Sequence, residues 1–183
     1  MRALSLVRFI ALWLRFSKPC RLVAIPMSGN FIVLGFVGAL SVMMAIAAIS
    51  DIRARIIENK LNLAIALLAI PYWFAVGLKP WPDMALQLAW GLGIFLLFCI
   101  PFALGKMGGG DVKFISAIAL WFPPLLMIQF LVVLSLFGVI LTTIMMAREW
   151  VKTRKLQTKV PYGVSIALGG LWALHQQYFN QFV

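Results

Sequence analysis

The sequence predicts an all-α membrane protein, a polytopic bundle of about six transmembrane helices, and three observations carry that reading. First, 63% of the 183 residues are hydrophobic and only 11% are charged, with a mean hydropathy of +1.01. That is too little charge to cover a soluble domain of this length. Second, the apolar residues gather into stretches near the length that a bilayer core demands, roughly 20 residues per helix. Third, basic residues cluster at the ends of those stretches, where topology signals and anionic-lipid contacts lie.

The stretches run Phe31–Ser50, Leu61–Leu78, Met84–Leu104, Val112–Phe122, Leu125–Ala147 and Tyr162–Phe179. A segment in lipid must satisfy its own backbone, so each reads as a helix. The fourth is short for a full crossing and runs into Pro123-Pro124. It is therefore either a short or tilted helix, or one part of a broken element continued by the fifth. Residues 27–183 make one membrane domain, with no room for a separate soluble one.

The connecting segments assign the two sides. Segments 51–60, 105–113 and 148–160 carry ten basic residues: Arg53, Arg55, Lys60, Lys106, Lys113, Arg148, Lys152, Arg154, Lys155 and Lys159. The opposite side has Lys79 alone. The charge-rich side is cytoplasmic, which makes the protein a multi-pass component of the cytoplasmic (inner) membrane. Residues 1–26 conflict with this frame, since Arg2, Arg8, Arg15, Lys18 and Arg21 would fall outside. They form an interfacial basic helix, or a signal-like apolar region, or translation begins at Met27. The start at Met27 removes the conflict in one step and is the preferred reading.

The formal charge of +11 would suggest nucleic acid in a soluble protein. At the ends of apolar runs it indicates membrane lipids as partners instead, and no nucleic acid. Cys20 and Cys99 stand apart with no CxxC and no neighbouring His, so neither a metal nor a cofactor is expected. Trp73, Trp81, Trp150 and Trp172 suit interfacial anchoring. Gly91/Gly93, Gly169/Gly170 and Gly35/Gly38 suggest close helix contacts or bends.

Only five residues are acidic: Asp51, Glu58, Asp83, Asp111 and Glu149. A carboxylate in the apolar layer costs about 2.5–3.5 kcal/mol on insertion scales, so the placement of each carries information. Asp83 lies in a turn outside the membrane, Glu149 sits among cations, and Glu58 belongs to a solvated loop. Asp51 closes the first stretch and Asp111 opens the fourth, both on the cytoplasmic edge. Two carboxyls brought together at such a depth share one proton. The ionised partner can then take a proton from water while the other donates to a carbonyl, which is the logic of an aspartic protease. The glycines before Asp111 give the chain unusual freedom and leave room for a substrate strand.

The flanking residues resemble a known family. Gly108-Gly109-Gly110-Asp111 with Val112-Lys113 resembles the GxGD-[VL]-K segment of the type IV prepilin peptidases. The run from Asp51 to Leu61, with Arg53, Arg55 and Asn59 inside it, resembles their first motif, although Glu58 stands where Pro is usual. Pro161-Tyr162-Gly163 resembles the segment that opens their last span. The resemblance implies a fold of the GxGD aspartyl protease type and cleavage of a prepilin or pseudopilin leader after a Gly, at the cytoplasmic face. It implies Asp51 and Asp111 as the catalytic pair, with Gly108 and Gly110 shaping the site. Lys113 either orients the site, contacts phospholipid or snorkels to the interface. Asn59 either ties the motif loop to the backbone or caps a helix.

The larger members carry paired CxxC motifs and a methyltransferase activity. This chain has neither motif, so it is similar to the short, peptidase-only type found with Flp (tight-adherence) pili, with pilus-assembly machinery as a further partner. Substrate-binding residues are not assigned. The competing readings are a small transporter or proton-coupled channel, in which the two Asp relay ions, and an inactive assembly scaffold.

Overall fold

The computed structural model describes the backbone of residues 31–153 and 162–178, and the side chains of these except 148–153. Segment 1–26, the start at Met27, Cys20, the side chains of Arg148, Glu149, Trp150 and Lys152, the basic residues Arg154, Lys155 and Lys159, and Pro161 lie outside the described residues.

Among the described residues six α-helices follow one another: α1 (Phe31–Ala54), α2 (Asn59–Ala75), α3 (Ala85–Ala103), α4 (Gly109–Ala119), α5 (Pro124–Thr153) and α6 (Tyr162–Tyr178). A π turn over Pro80–Met84 leads into α3. Phe31–Ala54, Pro80–Ala103 and Pro124–Ala147 are each long and apolar enough to cross a membrane. At 1.5 Å per residue each spans about 36 Å, against a hydrocarbon core of roughly 30 Å. Their outward faces are apolar, with Ile46 half exposed and Val139 66% exposed. This is a surface made for lipid rather than water.

The core is set by spacing. On α1 the buried residues are Val33, Val37, Leu40, Met44, Ala47 and Asp51. They recur every three or four positions, which keeps them on one face of a helix. Asp51 is the last member of that apolar stripe, so the register that buries Leu40 and Met44 also carries a carboxyl into the protein.

The fourth apolar stretch is a separate 11-residue helix, about 16 Å long and half of a crossing. It packs against α2, α3 and α6. Six of its residues are buried, Phe114, Ile115 and Ile118 completely. A helix that ends inside a bundle leaves carbonyls without partners. Here side chains supply them: Gln87 Nε2 donates to the Ala119 and Phe122 carbonyls at 3.0 and 2.8 Å, and Trp73 Nε1 to Leu120 O at 2.8 Å. Trp73 is therefore not an interfacial anchor but is buried, held by the end of α4. Trp81, by contrast, is 80% exposed. Of the glycines expected at close contacts, Gly91 lies against Leu120, Gly169 against Phe130 and Gly170 against Met44. Gly35, Gly38 and Gly93 face open space.

Candidate active site

Beyond the end of α1 the chain turns back toward the bundle. Arg55 takes a positive φ of 54°, and Ser50 Oγ donates to Ile56 O at 2.9 Å, closing the turn. The turn drives Ile57 inward, where it is buried. Glu58 then precedes α2 with φ −65°, the value at which proline is fixed. The acidic residue thus keeps the backbone of the proline that it stands in for.

Asp111 sits in the first turn of α4, behind Gly108 in extended conformation at the N-cap. The Gly108 carbonyl accepts the N–H groups of Asp111 and Val112 at 3.1 and 3.2 Å, so the glycine run is the entry to a helix as well as a loop. A carboxylate in the first turn is also favoured by the helix dipole. Gly110 passes close over the α1–α2 turn: a Cβ there would lie 3.4 Å from the Ile57 carbonyl oxygen. One at Gly108 would lie 3.0 Å from Asp111 Oδ2.

Asp51 and Asp111 line one cleft of about 710 Å³, together with Arg55, Lys106, Met107 and Tyr162. Asp51 is 5% exposed. Asp111, which lies outside the three membrane-length helices, has its carboxyl pushed up to about 6, chiefly by burial and then by the charge of Asp51, against a lowering hydrogen bond from the Gly108 backbone. Gly108, Gly110 and Asn59 line the same cleft. Lys113 lies beyond its lining, and its Nζ donates to Asn59 Oδ1 at 2.9 Å, so these two motif residues form a pair at the rim. Among the described residues no three His, Cys, Asp or Glu side chains gather as a metal site would require.

Two residues of the site carry no acid–base signal in the sequence. The Gly163 N–H, in the first turn of α6, donates to Asp51 Oδ2 at 2.7 Å. A Cβ at Gly163 would stand 2.8 Å from that oxygen and 2.9 Å from Ile57 Cδ1. Asn62, buried on α2, donates from Nδ2 to Gly110 O at 3.2 Å and so ties α2 to the glycine run. Gly163 falls in a segment that resembles a family motif, but its contact with Asp51 joins positions 112 apart. Asn62 stands out only as an amide in an otherwise apolar stretch.

Among the described residues the fold is all-helical, with three helices long and apolar enough to cross a membrane, and a cleft lined by two carboxyls; this is the outline of a membrane protein. Residues 38–143 match the type IV leader peptidase family, and the chain belongs to it. The matched region includes both Asp51 and Asp111. Neither a curated protein nor a solved structure matches the chain. Family membership gives a peptidase acting on prepilins.

Proposed function

We propose that the protein is an aspartic endopeptidase of the cytoplasmic membrane. It removes the short basic leader of type IV (Flp-type) prepilins or pseudopilins by cutting after a Gly at the cytoplasmic face. The observation that carries this reading is the opening of Asp51 and Asp111 into one cleft. The same end of the bundle bears Arg53, Arg55, Lys60, Lys106 and Lys113, which supports a cytoplasmic orientation. In this reading α2 and α6, of 17 residues each, also cross the bilayer, their ends completed by flanking polar residues.

Two carboxyls in one buried cleft do not both ionise cheaply, so the active form of the pair is the one that carries a single proton. The ionised carboxylate removes a proton from a water whose oxygen attacks the carbonyl carbon of the Gly. The protonated carboxyl donates to the carbonyl oxygen, giving a neutral tetrahedral diol. Collapse of the diol breaks the C–N bond, and the leaving amine takes up a proton from the pair. The products are a leader ending in a carboxyl group and a mature pilin with a new amino terminus. Lys113, from outside the lining, holds Asn59 at the rim of the cleft.

The test is to incubate purified protein with a prepilin and follow the loss of leader mass. Asp51→Asn and Asp111→Asn are each expected to abolish cleavage while the protein stays folded in the membrane. Cleavage that survives either substitution refutes the pair.

A further inference from the structure

A second groove adjoins the carboxylate cleft. α3 packs on α4, and α5 packs on α6. Between α3 and α5 lies a groove of about 480 Å³ with Phe98 and Pro101 on one wall and Leu134, Gly138 and Thr142 on the other. Both walls belong to membrane-length helices, so the groove opens toward lipid. At its inner end it shares Lys106, Met107 and Tyr162 with the cleft that holds Asp51 and Asp111.

The wall formed by α5 is apolar in effect despite its hydroxyls. Ser135 Oγ donates to Leu131 O, Thr142 Oγ1 to Gly138 O and Thr143 Oγ1 to Val139 O, at 2.7–2.8 Å. Each hydroxyl is satisfied within its own helix and asks nothing of an occupant. A Cβ at Gly138 would meet nothing within 4 Å, so another backbone can approach closely there, as in packed membrane helices. The lining positions 134, 138 and 142 recur every four residues, a straight stripe along about 12 Å of helix.

We infer that this groove is the lateral port in which the apolar helix of a membrane-anchored substrate lies while its adjoining peptide bond reaches Asp51 and Asp111. The inference rests on the peptidase reading above. The depth of the site argues for this occupant. Asp51 belongs to the buried face of a membrane-length helix, so the cleft opens at the bilayer edge. A chain reaching it from a membrane-bound protein needs an apolar path that ends there, and the shared lining makes the α3–α5 groove such a path.

The test uses Asp111→Asn, which retains substrate uncut, with Cys20 and Cys99 replaced by Ser. The probe is a prepilin with a basic leader ending in Gly and an apolar helix of about 20 residues carrying single cysteines. Leu134→Cys and Thr142→Cys are expected to form disulfides with probe positions recurring every three or four residues. The outward-facing Val132→Cys and Leu136→Cys should remain at background. In the otherwise unaltered protein, Gly138→Phe fills the groove and should raise KM for this probe about tenfold, with a smaller effect on kcat. Disulfides equal on both faces, or absent from the groove as an acyl chain resident there would give, overturn the port. A fall in kcat alone also overturns it. If the wild-type protein fails to cut the probe while the disulfides follow the stripe, the peptidase reading fails and the port stands.

Discussion

Replacing Gly163 by Ala tests how tightly the site is built. The added Cβ would lie 2.8 Å from Asp51 Oδ2, 2.9 Å from Ile57 Cδ1 and 3.0 Å from Asp51 Cβ. Carbon contacts are most favourable at about 3.5–4.0 Å, so the start of α6 and the end of α1 must part by roughly 0.5–1 Å. Two of the three clashes are with Asp51 itself, which cannot turn aside without leaving its 2.7 Å bond to the Gly163 N–H. A hydrogen bond to a charged group is worth about 1.5–3 kcal/mol, and a misplacement near 1 Å costs about a hundredfold in rate. At 1.36 kcal/mol per factor of ten, the two estimates agree on a loss of about 10- to 100-fold in kcat. KM should move little, because Gly163 lines neither the cleft nor the groove. The assay is steady-state cleavage of a prepilin, followed by mass, beside a thermal denaturation curve. A Gly163→Ala protein that cleaves within threefold of wild type refutes the argument, and so does a rate loss explained wholly by a smaller folded fraction.

Three other outcomes follow from the site. Asn62→Leu removes the donor that Gly110 O receives and should cost about 1–2 kcal/mol, read as a lowered denaturation midpoint together with a several-fold slower cleavage. Lys113→Met breaks only an exposed bond to Asn59 and should leave cleavage within about threefold of wild type, since exposed pairs contribute about 0–1 kcal/mol; a hundredfold loss would place Lys113 in the chemistry. Asp111→Asn should be inactive yet more stable than wild type at pH 7, by on the order of 2 kcal/mol. The folded carboxyl titrates at about 6, above its ordinary 3.8, so the wild-type protein loses stability as pH rises from about 4 to 6. The advantage of the Asn variant should vanish below pH 4, and equal denaturation midpoints at pH 7 would contradict the burial of that charge.

Much of this was legible in the residues because membrane chains obey few rules. Five of the six apolar stretches coincide with helices to within a few residues, since lipid leaves a spanning segment no other way to satisfy its backbone. The buried side of α1 is visible in the spacing from Val33 to Asp51. The glycine run announces Asp111 because small residues gather where chains approach. What spacing does not reveal is which distant backbone meets a given side chain. The bond from Gly163 to Asp51 joins the first turn of α6 to the end of α1, and that depends on how α1 and α6 pack. Trp73 departs from the interfacial expectation for the same reason. A tryptophan near a helix end suits the interface in general, but here the unpaired carbonyls of a short neighbour lie within its reach.

The placement of α6 also answers an electrostatic problem that the first motif creates. Asp51 stands in the last turns of α1, where the partial negative charge of a helix C-terminus opposes a carboxylate by about 0.3–1 kcal/mol. Asp111, in the first turn of α4, has the opposite and favourable placement. A pair built from these two helices alone would leave one carboxyl poorly held. The N-terminal turn of α6 supplies what α1 cannot: a positive dipole end and an N–H aimed at Oδ2. The residue supplying that N–H must lack a side chain, because a Cβ would occupy the place where the carboxylate sits. The glycine in the first turn of α6 is therefore as closely bound to the cleft as the glycines that precede Asp111, although it comes 112 residues after Asp51.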